Sequence, residues 1–63
     1  MTTAEARKLM NKAVVLHYKG STRMILGVVI EVVPRNIKLD VGGMSDWMYL
    51  PDIRRYQVIE QPA

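Results

Sequence analysis

Apolar and polar positions change rhythm once along this chain, close to Ala13. Before it, Ala6, Leu9, Met10 and Ala13 recur at the spacing of one helix face, with Arg7, Lys8, Asn11 and Lys12 on the other side. Thr2 and Glu5 stand in capping-box order: the threonine oxygen can accept an otherwise orphaned amide while the glutamate reaches back. The spacing predicts a helix over about 3–12. So short a helix does not persist alone in water, so its Leu9/Met10 stripe must dock on something.

From Ala13 onward β-branched and aromatic residues take over. "AVVLHYK" predicts a first strand and Gly20-Ser21-Thr22 its turn. "RMILGVVIEVV" predicts a long second strand, with Gly27 expected to mark its bend. Strict alternation puts Met24, Leu26, Val28, Ile30 and Val32 on one face, and Ile25, Val29 and Val33 on the other. That surplus of apolar residues points to a self-association surface and a homo-oligomer.

Pro34-Arg35-Asn36 predicts the next turn, "IKLDV" a third strand, Gly42-Gly43 another turn and "DWMYL" a fourth strand. Pro51 has no amide hydrogen for a ladder and stops that strand. "PDIRR" reads as one tight turn, and "YQVIE" as a fifth strand. The chain is therefore read as one domain: a mostly β, small five-stranded SH3/Sm-like barrel over about 13–60 with a short N-terminal α-helix. Closure removes the exposed edges that an open sheet would leave.

Composition narrows the class. A hydrophobic fraction of 49% is too high for a disordered chain. With 63 residues and no cysteine, neither disulfides nor thiolate metal sites can reinforce a small core, which fits a reducing cytoplasm. The longest apolar run, "MILGVVI", is far short of the roughly 20 residues that span a bilayer. "MTTAEARKLM" also lacks the apolar core of a signal peptide. The expectation is a cytoplasmic protein without a membrane partner. Nine Lys and Arg against six Asp and Glu give a net charge of +3, a mild attraction for anionic partners.

Candidate chemistry is sparse. His17 is the single histidine and sits within a strand, where a half-buried neutral ring is the simplest reading. Glu31, Asp40, Asp46, Asp52 and Glu60 show no paired spacing for acid–base work or metal binding. Gly42-Gly43 is not followed by the Lys and Ser/Thr of a phosphate loop. No catalysis, cofactor or metal is expected.

Binding residues are easier to find. Trp47 and Tyr49 share one face of the fourth strand, and Met48 and Leu50 the other, so one pair must be core. If Met48 and Leu50 are the core pair, Trp47 and Tyr49 form an outward aromatic platform able to stack bases or anchor a protein. Arg54 and Arg55 fall in the break before the fifth strand, either as a binding site or as a solvated corner.

Residues 13 to 60 resemble the YolD-like family of small bacterial proteins, through "HYKG", the glycine opening "GVVIEVV", "RNIKLD" and "LPDIRRYQVI". The resemblance implies an Sm-like barrel found in bacteria, phages and mobile elements, often linked to Y-family DNA polymerases and the damage response. It implies a non-enzymatic adaptor or nucleic-acid-associated protein. Sm proteins bind single-stranded RNA with the loops before their third and fifth strands. The matching residues here are Arg35, Asn36 and Arg54. Two positions depart from the Sm pattern: Val32 replaces an acidic residue, and Arg55 a glycine. The expected partner is a protein, a single-stranded nucleic acid, or both, held by Arg35, Asn36, Arg54 and Arg55 with Trp47 or Tyr49 as apolar anchor.

Overall fold

In the computed structural model, which describes residues 1–20, Thr22 and residues 24–59, the capping box forms as the sequence predicts. The Thr2 hydroxyl accepts from the Glu5 amide at 3.1 Å, and Glu5 Oε1 accepts from the Thr2 amide at 3.1 Å. The helix α1 covers only Thr3–Arg7, however, not 3–12. Beyond it the chain tightens into turns and reaches Asn11 in the left-handed region, at φ 64°. The sheet dictates this early stop. The Asn11 amide donates to the Val29 carbonyl at 2.8 Å, and the Val29 amide donates back to the Lys12 carbonyl at 3.1 Å. Ala6 and Leu9 dock in the core, while Met10 is exposed.

Five strands follow: β1 (Ala13–Tyr18), β2 (Met24–Val33), β3 (Asn36–Val41), β4 (Met44–Tyr49) and β5 (Ile53–Val58), with a 3-10 turn at Leu50–Asp52. They form one antiparallel sheet in the order β4-β3-β2-β1-β5. β4 and β5 are its two edges and are not paired with each other. A flat sheet would hold them about 19 Å apart, four gaps of roughly 4.8 Å. The four peptide steps from Tyr49 to Ile53 reach about 14 Å at most. The sheet must therefore curl. Its concave face buries Val14, Leu16, Val29, Ile37, Leu39, Met48 and Ile53; Leu50 of the 3-10 turn, Ala6 of α1 and Leu9 of the turns after α1 join the same cluster.

Three features of the strands differ from the sequence reading. In β2 the register with β3 slips between Val29 and Glu31, so Ile30 is an extra residue. Before this bulge Ile25, Gly27 and Val29 face inward; after it Val32 does, so Val32 leaves the face expected for it. Gly27 is not the bulge. Its role is close approach: a Cβ there would stand 2.9 Å from the Asp40 carbonyl oxygen.

The β2–β3 turn places Arg35 in the left-handed region, at φ 67°, and Asn36, expected in the turn, is the first residue of β3. The fifth strand begins at Ile53, three residues before the expected start, because Ile53 is buried and β1 pairs from Tyr18 onward. Arg54 and Arg55 therefore lie within a strand and not in a corner. Ser21, Arg23 and Glu60, which the predicted turn and strands included, lie outside the described residues.

α1 ties the β2–β3 turn to the edge strand β5. The Arg35 amide donates to the Thr3 hydroxyl at 3.1 Å, and the Tyr56 hydroxyl donates to Glu5 Oε2 at 3.1 Å. Among the described residues no helix is long and apolar enough to cross a membrane.

Candidate anion-binding surface

The ambiguity in β4 is resolved by burial. Met48 and Leu50 are 6% and 1% exposed, whereas Trp47 and Tyr49 are 45% and 46% exposed. The aromatic pair thus faces outward. Register places Lys38 beside Trp47 and Asn36 beside Tyr49 on the same convex face. Lys38 Nζ lies 5.5 Å from the Trp47 ring centroid, within cation–π range. The Asn36 amide group donates to the Pro34 carbonyl at 3.4 Å, which fixes it at the mouth of the β2–β3 turn.

The 3-10 turn draws two other turns toward it. The Leu50 amide donates to the Arg35 carbonyl at 2.8 Å, and the Lys19 amide donates to the Asp52 carbonyl at 2.8 Å. Pro51 suits this turn, since its fixed φ fits the first residues of a helical turn and its missing amide leaves no donor unpaired there. Arg35 and Lys19 therefore stand on either side of the peptide that launches Arg54. These bonds bring the Arg35 and Lys19 main chain to the turn that precedes Arg54.

Arg54 and Arg55 belong to the far edge of the sheet, on β5. Arg55 faces His17 across the β1–β5 pair, and Ile53 faces Tyr18, so Arg54 is an extra residue at a register slip. Both arginines line one groove with His17, Tyr18, Thr22 and Met24. Burial, followed by the nearby Asp46 and Asp52 carboxylates, pushes the Tyr18 phenol up from its ordinary pKa and keeps it a proton donor.

The six residues singled out by the sequence thus fall into two groups. Asn36, Trp47 and Tyr49 share the β3–β4 face with Arg35 at its end, while Arg54 and Arg55 share the β1–β5 face. The 3-10 turn links them. Sequence reasoning missed His17, Lys19 and Lys38 as members of this surface. Alternation alone would have paired Lys38 with Trp47, but His17 meets Arg55 only once β5 is extended to Ile53.

Chemically the surface offers donors and aromatic rings. Among the described residues, no group of three or more His, Asp or Glu side chains is arranged to hold a metal ion. In comparisons with protein families, curated proteins and solved structures, the chain finds no match.

Proposed function

We propose that this chain is a small non-enzymatic regulatory or adaptor protein that acts by binding, and that its partner at this rim is single-stranded nucleic acid. The observation that carries the reading is the pair of backbone hydrogen bonds that draw Arg35 and Lys19 to the 3-10 turn between Tyr49 and Arg54. A stacking platform next to a basic track is the arrangement single strands need, because every base has a face to stack and every linkage a charge to neutralise. The curled sheet, with its two edges joined by a short turn, supports an SH3/Sm-like barrel. That fold and the resemblance to YolD-like proteins support a cytoplasmic role in the damage response or as a phage or plasmid accessory.

Titration of fluorescent single-stranded RNA and DNA at low and moderate salt tests the reading. Binding that weakens steeply with salt and is lost on Trp47→Ala/Tyr49→Ala supports it. No binding at micromolar protein overturns it and redirects the search to a protein partner. A second reading, a homo-oligomer assembled by strand pairing, is favoured by the unpaired outer edges of β4 and β5. Its signature is a melting temperature that rises with protein concentration.

A further inference from the structure

Consecutive residues of a strand normally point to opposite faces. Arg54 and Arg55 do not obey this, and the reason is local. β1 and β5 pair His17 with Arg55 and Tyr18 with Ile53, leaving Arg54 opposite no residue of its own. An extra residue of this kind bends the strand and re-aims a side chain. The result is two guanidinium groups at one groove, next to the only histidine, with Met24 also lining it and the Tyr18 and Thr22 hydroxyls completing the ring of polar groups. The groove continues along β5 past His17 and Arg55 to Tyr56 and Gln57. Among the described residues, no carboxylate lines either part.

We infer that this groove is a phosphate site, with Arg55 and Arg54 as the charged donors and His17 and Thr22 as supporting donors. A guanidinium presents a planar fork that matches two oxygens of a phosphate, and two forks on adjacent residues can hold one phosphate from two sides. Such a cluster in a chain of only +3 charge costs like-charge repulsion that a merely soluble corner would avoid by interspersing acids. The Asp46 and Asp52 carboxylates act on Tyr18 and lie outside the lining. Tyr18 stays protonated and contributes a neutral donor.

The inference deepens the proposed function and rests on it only in taking this rim as the binding surface. Phosphate chemistry is common to three sources: an internal phosphodiester, a terminal phosphate of a strand, and free phosphate.

The test is a titration of the isotope-labelled whole chain, followed by NMR at the His17 ring and the arginine side chains. The probes are inorganic phosphate, acetate as control, and an oligothymidylate with or without a 5′-phosphate. Phosphate is expected to shift the His17 and Arg55 signals saturably, at about millimolar concentration for a single small anion. Acetate should leave them unchanged. Arg55→Gln should weaken the phosphate response by about tenfold, the usual size of one charge-assisted contact. His17→Asn should weaken it less. Unchanged signals from Leu39, buried on β3 away from both substitutions, verify that both variants fold.

A stronger response to the 5′-phosphorylated strand assigns the groove to a strand terminus. Equal responses from both strands assign it to an internal linkage. A response to inorganic phosphate with no strand binding keeps the groove and overturns the nucleic-acid reading. Strand binding that leaves the His17 and Arg55 signals unmoved, or a phosphate response no greater than that to acetate, overturns the groove.

Discussion

Tyr56 donates its hydroxyl proton to Glu5 Oε2 at 3.1 Å, across 51 positions of the chain. This bond joins the last strand to the first helix, and both partners titrate. Hydrogen bonds from Thr2, amide first and hydroxyl second, and then from Tyr56, hold the Glu5 carboxyl below its usual range. The bond to Glu5, more than burial or the nearby charge, pushes the Tyr56 phenol up.

The signs of these shifts define a pH window. A lowered Glu5 pKa means stability that is complete above the ordinary carboxylate value of about 4.3 and is lost as pH falls through the folded value. A raised Tyr56 pKa means stability that is complete below about 10 and is lost as pH rises through the folded value. Thermal melts of the wild type should therefore show a plateau between these limits. Tyr56→Phe should lower the plateau slightly and remove its contribution to the alkaline decline. An alkaline limb identical in Tyr56→Phe would show that the bond does not form in solution.

Gly27 should tolerate no side chain. A Cβ would meet the Asp40 carbonyl oxygen at 2.9 Å, Val41 Cγ2 at 3.1 Å and Leu39 Cβ at 3.3 Å. The first is backbone and cannot move without disturbing β3. Gly27→Ala is expected to cost about 1–3 kcal/mol, the usual cost of overpacking. In a domain of this size that lowers the melting temperature by at least about 4 °C. A melting temperature within error of wild type would mean that β2 and β3 lie farther apart than these distances allow.

Arg35 holds a backbone conformation that costs a side-chain-bearing residue roughly 1–2 kcal/mol. Arg35→Gly should relieve that strain and leave the Leu50 and Thr3 hydrogen bonds in place, since both use Arg35 backbone atoms. The melting temperature should rise while single-strand affinity falls. A rise with unchanged affinity would remove Arg35 from the binding surface.

Trp47 and Arg54 should be separable by salt. Stacking is worth about 1–3 kcal/mol per base, so Trp47→Ala should weaken binding at every salt concentration alike. Arg54→Ala should instead flatten the salt dependence, by roughly 0.7 in the logarithmic slope for each phosphate of a single strand that is no longer neutralised. Equal slopes for the two variants would contradict the division of the rim into stacking and charged parts.

Local signals in the sequence were enough for the capping box at Thr2, the turn at Gly42-Gly43, and four of the five strands to within two residues at either end. Each depends on neighbours a few residues away. Alternation also put Trp47 and Tyr49 on one face, but could not say which. Only the burial of Met48 and Leu50 against the far side of the curled sheet made that face the outer one. The helix end at Arg7 was likewise set from outside, by the demand of Val29 for partners at Asn11 and Lys12.

Arg54 and Arg55 mark the boundary most clearly. Their charge and adjacency are plain in the sequence, and so is the proline that precedes them. That they lie in a strand, share one groove and meet His17 is a product of pairing between β1 and β5, some forty residues apart along the chain. Periodicity within either segment carries no record of a register slip, because the slip is a property of two strands together. The sequence alone determined the elements and the chemistry available; tertiary pairing decided which side chains stand together.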